Sequence, residues 1–222
     1  MIPAVVIAAG LGTRLRPLTE RWPKPVLPIH GKPVLAQLLR QLGEAGCPRV
    51  TVVSGHLAEQ VERLAGNGSA FGLRVDHARQ ETPDGSAHAV AAARAEAPYL
   101  VVGADHLFEP GELAAFAEAF ERSGADGALA VQEGPGPVMV EDGEVARIPG
   151  EGRAAAPLWA VGPGVASHVE ALPGKPPHEL ARAFQDAIDA GRRVVAVEIG
   201  PSLDLTTPAD LLEHNFPYLG SL

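Results

Sequence analysis

Cysteine is almost absent from this chain. Cys47 is its only one, so no internal disulfide can form. Without a CxxC partner it reads as a small buried side chain rather than a nucleophile, and the expected compartment is the cytoplasm. Long apolar runs are missing as well. None approaches the roughly 20 residues needed to cross a bilayer. The VVIAA near the start is too short for a signal segment and has no positive residue before it, so no membrane partner is expected. An excess of positive charge is missing too: the net charge is −9, which argues against the basic face of a nucleic-acid binder. Repeats, linkers and low-complexity tracts are not seen. What remains is a folded chain, 46% apolar and 20% charged, long enough to bury a substantial core as one domain over residues 1–222.

Lysine is scarce in an informative way. Only Lys24, Lys32 and Lys175 occur, against fifteen arginines. Residues 1–32 hold five basic residues and one acid, a local +4, which leaves −13 for the remainder. An acidic chain that gathers positive charge beside a glycine turn has a focused site for a small anion. A compact ammonium differs from a guanidinium as a phosphate ligand, so Lys24 is a position where identity matters.

The pattern alternates strand and helix. AVVIAA (4–9) is a strand buried on both faces, and 33–44 a helix with Pro33 in its first turn. Strands follow at 49–55, 73–78 and 99–105, with helices near 57–65, 86–96 (Ser86 as N-cap) and 110–122. Residues 127–162 carry Gly, Pro and Asp-Gly punctuation and predict hairpins beside the main sheet. Helices near 163–171 and 178–190, a strand at 192–199 and a helix over 207–215, capped by Thr207, complete the chain. The prediction is an α/β three-layer sandwich with a mixed edge. Ligands in such sheets sit at the carboxyl ends of strands. Three of those ends carry unusual residues: GLGTR, Asp105 and Asp204.

The glycine turn needs a phosphate, and two common candidates fail. A dinucleotide site needs a third glycine, a helix and an acid after the second strand. Leu15 stands at that glycine, Arg16-Pro17 would break the helix, and the second strand ends Ser54-Gly55-His56. A Walker loop needs G-K-[ST], which is missing. The loop instead carries Arg14, Arg16 and the Pro23-Lys24-Pro25 triplet, whose prolines fix the backbone around Lys24.

The stretch AAGLGTRLRPLTERWPKPVLPIHGKPVL closely resembles the signature A-A-G-x-G-T-R-L-x-P-L-T-x-x-x-P-K-P of the sugar-phosphate nucleotidylyltransferases. Weaker likenesses run across most of the chain. QETPDGSAHAVAAA is similar to the family's Q-x-x-P-x-G-T-A-x-A-L, LVVGADHLF to its L-V-x-x-G-D, and SLDLTTPADLLEHN to its W-x-D-x-G-T-P-x-D-L-x-x-A-N. The resemblance implies a Rossmann-like mixed sheet of the nucleotide-diphospho-sugar transferase (GT-A-like) type, with a nucleotide part over about 1–125 and an acceptor side over about 126–222.

The resemblance also implies the reaction. A sugar 1-phosphate oxygen attacks the α-phosphorus of a nucleoside triphosphate and pyrophosphate leaves. No general base is needed, because a phosphate monoester has its second pKa near 6 and is largely ionised. By the same resemblance Ala9, Gly10, Leu11, Gly12 and Thr13 line the nucleotide, with Gln80, Gly85 and Ser86 at the base. Arg14 meets the departing pyrophosphate and Lys24 the reacting phosphates. Asp105 and Asp204 hold Mg²⁺, a hard cation suited to carboxylate oxygens.

The likeness thins on the acceptor side. The family's Glu-Lys-Pro and N-A-G are replaced within RIPGEGRAAAPLWAVGP, where either Arg153 substitutes for the lysine at the acceptor phosphate or the acceptor is held otherwise. A non-catalytic nucleotide-binding homologue, or transfer to a non-sugar phosphate or a pterin-type cofactor, therefore stays open. The chain ends near residue 222 without a β-helical extension, so a second activity is not expected.

Overall fold

The computed structural model describes residues 1–218. Strands β1 (Ala4–Ala8), β2 (Pro28–Ile29) and β3 (Lys32–Pro33) precede α1 (Val34–Glu44). Then come β4 (Val50–Ser54), α2 (Ala58–Ala65), β5 (Val75–Arg79), α3 (Ser86–Ala92), β6 (Tyr99–Gly103), β7 (His106–Leu107) and α4 (Glu112–Ser123). The second half holds β8 (Gly127–Gly136), β9 (Met139–Glu141), β10 (Glu144–Arg147), β11 (Gly152–Val161), α5 (Pro163–Ala171) and α6 (Leu180–Asp189). It closes with β12 (Val194–Glu198), β13 (Leu203–Asp204) and α7 (Pro208–Asn215).

A nine-stranded sheet runs β5-β4-β1-β6-β11-β8-β12-β10-β9. Strands β5, β4, β1 and β6 are mutually parallel, while β11 is antiparallel to both β6 and β8. Each inner strand sends alternate side chains to opposite faces. Val6 and Val102 enter one core with Leu35, Leu38, Leu39 and Leu42 of α1 and Phe116 of α4. Val5 and Val101 enter the other with Val90 of α3, Val165 of α5 and Phe184 of α6. Helices thus cover both faces, which gives the predicted three layers. The α1 leucines recur at i, i+3, i+4 and i+7, are fully buried, and contribute about 1.5–3 kcal/mol each through removal from water.

Three expectations need correction. The segments from 127 to 162 do not lie beside the main sheet: β8 and β11 are interior strands, and only β9 and β10 form its edge. β8 is buried continuously over its first five residues and β11 alternately over its second half, and both found interior partners that local turn signals do not reveal. Ser86 is not an N-cap. Gly85 holds that position, and Ser86 is the first helical residue. The helix from 86 also stops at Ala92 rather than 96. At the other end Thr207 does cap α7: it accepts from the Asp210 amide while Asp210 accepts from the Thr207 amide, 2.6 Å.

The chain leaves β1 toward β4 on one side and reaches β6 on the other. That reversal makes the carboxyl end of β1 the crevice where open α/β sheets bind ligands. Among the described residues no helix is long and apolar enough to cross a membrane.

Candidate active site

The glycine turn begins where β1 ends. Gly12 adopts φ +62°, a left-handed conformation that side chains rarely tolerate, and a Cβ there would come within 2.8 Å of the Thr19 methyl. No long helix follows. Instead the chain folds into three short 3-10 turns, Thr13–Leu15, Leu18–Glu20 and Lys24–Val26. This is the irregular continuation that Arg16-Pro17 predicts.

Two residues without an assigned role hold this loop in shape. Thr19 is buried at 1% exposure, and its hydroxyl donates to the Gly12 carbonyl at 2.9 Å. The Thr19 carbonyl oxygen lies 2.6 Å from His56 Nε2. A carbonyl only accepts, so His56 carries its proton on Nε2 here. The loop is thereby tied to the segment between β4 and α2. The sequence signal for Thr19 was its place as a lone hydroxyl in an arginine- and proline-rich stretch; His56 offered none.

Lys24 opens the third turn, with Pro23 extended before it (φ −63°, ψ 145°) and Pro25 after it. Its ammonium pairs with Asp105 Oδ2, while His106 Nδ1 contacts Asp105 Oδ1 at 2.8 Å. Burial pushes the Asp105 carboxyl up, but the His106 hydrogen bond and the positive charges of His106 and Lys24 outweigh it. The net effect holds Asp105 below the usual carboxylate range. Asp204 reaches the same neighbourhood through a short antiparallel pair in which it stands opposite His106, and the Leu205 amide donates to the Asp105 carbonyl at 3.1 Å.

A cavity of about 490 Å³ opens at these strand ends. Of the residues predicted from sequence, it brings together Gly10, Gly12, Thr13, Arg14, Lys24, Ser86 and Asp105. Arg14 is exposed and makes no ion pair among the described residues, so its charge is available to a ligand. The other predicted residues stand back from the lining. Ala9 is buried at 3% and Leu11 is 39% exposed. Gln80 is buried, its amide donating to the Gly85 carbonyl at 2.9 Å with His88 Nδ1 at 3.2 Å. Gly85 packs against His178, whose carbonyl oxygen would lie 2.3 Å from a Cβ there. Arg153 pairs with Glu198 at 2.7 Å and donates to the Gln132 carbonyl.

The far wall comes from residues the sequence did not single out. Between Ala155 and Trp159 the β11 register against β8 slips. Pro157 sits in that irregularity, where a residue without an N–H is tolerated. It leans over Gly103, whose Cβ would meet it at 3.0 Å. Trp159 packs on Phe184 with ring centroids 4.7 Å apart. Glu179 accepts from the Ser86 hydroxyl at 2.6 Å, and the Leu180 amide donates back to Ser86 at 2.8 Å. Ser86 therefore stitches α6 to α3 across the cavity. Backbone amides, two cations and a carboxylate at one opening offer the means to hold a polyanion such as a polyphosphate.

A profile described as "Nucleotidyl transferase" matches residues 3–138. The chain is 29% identical, over 95% of its length, to the low-salt glycan biosynthesis nucleotidyltransferase Agl11 of Haloferax volcanii. It is 36% identical over 51% of its length to the N-acetylmuramate alpha-1-phosphate uridylyltransferase of Neisseria meningitidis serogroup B. It spans 64% and 51% of the lengths of these two curated relatives. Among solved structures, a UDP-glucose pyrophosphorylase from Acinetobacter baumanii superposes with a TM-score of 0.80 at 19% identity, covering 96% of this chain and 92% of that one. That likeness establishes a shared fold.

Proposed function

The chain belongs to the nucleotidyl transferase family, and from that premise we propose that it transfers a nucleoside monophosphate unit to a sugar 1-phosphate. Pyrophosphate leaves and a nucleoside diphosphate sugar forms. The observation that carries this reading is the cavity where the Gly10–Arg14 turn, Lys24 and Asp105 meet. Its chemistry matches the electrostatic problem of bringing two anions together.

The acceptor's phosphate oxygen attacks the α-phosphorus, the bond from that phosphorus to the bridging oxygen breaks, and the electron pair leaves on pyrophosphate. An ionised phosphate monoester needs no base to do this. What it needs is positioning and preorganised positive charge. The Ala9–Thr13 backbone, held by Thr19, cradles the phosphates. Arg14 neutralises the leaving pyrophosphate. Lys24 contacts the α-phosphate or the attacking phosphate, and its pairing with Asp105 keeps it oriented beforehand.

Residues 1–125 serve as the nucleotide part and 126–222 as the acceptor side, with Gln80, Gly85 and Ser86 bordering the base and Arg153 a candidate for the acceptor phosphate. The same reading puts the protein in the cytoplasm. Asp105 and Asp204 would hold Mg²⁺: both are carboxylates, and the pairing of Asp204 with His106 and the Leu205 amide bond to the Asp105 carbonyl join their segments. No group of three or more His, Cys, Asp or Glu side chains that could hold a metal occurs among the described residues, so substrate phosphates and water would complete the shell, as Mg²⁺ prefers. When bound, the ion supplies charge neutralisation at the phosphates.

A pyrophosphate-release screen tests this reading, pairing four nucleoside triphosphates with a panel of sugar 1-phosphates and phosphocholine, with and without Mg²⁺. Turnover with at least one pair, lost on chelation, is expected. Triphosphate binding without turnover on any pair would sink the transferase reading.

A further inference from the structure

His56 is half-buried and does not line the cavity, yet it bonds the glycine loop at two separate points. Its amide makes a long bond of 3.4 Å to the Ala9 carbonyl, just before the glycine turn opens. Its ring Nε2 donates to the Thr19 carbonyl at 2.6 Å, and the Thr19 hydroxyl carries the contact on to the Gly12 carbonyl. The backbone around His56 is shaped for this. Gly55 stands so near β1 that a Cβ there would lie 2.9 Å from the Ala9 Cβ. Leu57 takes φ +52°, a left-handed conformation that a non-glycine residue keeps only where the surrounding structure imposes it. In the first turn of α2, Gln60 Nε2 donates to the Arg21 carbonyl at 2.9 Å. Its Oε1 is buried with no partner among the described residues, so this amide is placed at a cost.

The two pinned carbonyls, of Thr19 and Arg21, lie between Arg14 and Lys24 in the chain. Holding them fixes how far the two cations can drift apart, and a charge held in place beforehand needs no rearrangement when the anion arrives. We infer that His56, seconded by Gln60, is a positioning residue: it sets where the Gly10–Arg14 turn and Lys24 stand relative to each other, and so tunes triphosphate affinity without touching the ligand. This rests on the transferase reading for the ligand's identity. The hold on the loop rests on the hydrogen bonds alone.

The test compares His56→Leu, which removes the ring donor, with His56→Gln, whose amide restores a donor near the place of Nε2. With the full chain, Mg²⁺ and the substrate pair that turns over, His56→Leu should raise KM for the triphosphate about tenfold, because the Thr19 carbonyl loses its ring partner. KM for the acceptor should stay within about twofold, and His56→Gln should regain most of the loss. Hydrogen exchange at the Leu15 and Trp22 amides, which close two of the loop's turns, should quicken in His56→Leu while the amides of β4 keep their rates. Gln60→Leu repeats the comparison, with a smaller rise, if His56→Leu does not fold. A triphosphate KM that stays put, or that rises in step with the acceptor's, overturns the inference and leaves nucleotidyl transfer standing. So does a glutamine variant no better than the leucine one. Should the wild-type chain turn over no pair, the transferase reading fails by itself and loop exchange decides: faster rates in His56→Leu uphold the positioning role, and unchanged rates overturn it.

Discussion

At the β1 end of the cavity every polar contributor from Gly10 to Lys24 lies in one continuous stretch of chain. At the β11 end the wall is drawn from three separate segments: Ser86, then Pro157 and Trp159, then Glu179 to Ala181. The first end is held by short-range bonds such as Thr19 to Gly12. The second depends on a strand bulge, an aromatic contact between β11 and α6, and a serine bridging two helices. A site can thus be half motif and half architecture.

The sharpest way to break this contrast is Lys24→Ala. Turnover should fall about 10³-fold with every acceptor, in line with losing one preorganised charge contact, while far-UV circular dichroism stays unchanged. Asp105→Asn should behave alike. A near-normal rate in either variant would show that the residue is misassigned. At the other end Phe184→Ala should lower stability by about 3–5 kcal/mol, because a fully buried ring is removed from under Trp159; chemical denaturation measures it.

Thr19→Val keeps shape but removes one of the two hydrogen bonds to the Gly12 carbonyl, which retains the Leu15 amide at 2.9 Å, a cost of about 0.5–1.5 kcal/mol. It should raise KM for the triphosphate roughly tenfold and leave KM for the acceptor alone. Equal changes in both constants would merge the two ends of the cavity into one. The smallest effect belongs to the sheet margin away from both ends. The Arg79 guanidinium hydrogen-bonds Glu62 and holds its carboxyl down at about 2, against an ordinary 4.5. A depressed carboxylate contributes stability above its unfolded value and loses it as pH falls, so this contribution should fade between pH 4.5 and about 2. Glu62 is partly exposed, so solvent screening limits the shift in Tm at pH 7 for Glu62→Gln to a few degrees at most. Its variant should also flatten the acid limb.

Much of the fold was legible beforehand. AVVIAA, the α1 leucines and the Thr207-Pro208 start each express a rule that acts within a few residues: two-faced burial, 3.6-residue spacing, a cap. The hairpin region was misread because edge and interior strands differ in their partners, and partners are chosen by the whole sheet. Pro157 lacks the N–H that an interior strand uses, and the register slip beside Trp159 makes room for it.

The amino-acid order alone determined the irregular glycine loop after β1. Missing a third glycine, and continuing as Arg-Leu-Arg-Pro and Pro-Lys-Pro, it could not feed a dinucleotide helix, because proline and left-handed glycine act on local backbone angles. Tertiary structure decided which partners that loop received. Asp105 beside Lys24, Asp204 opposite His106, His56 behind Thr19, and the far wall of Pro157 and Trp159 are meetings of residues distant in sequence. No local rule brings them together, since they follow from which strand lies next to which once both faces of the sheet are buried.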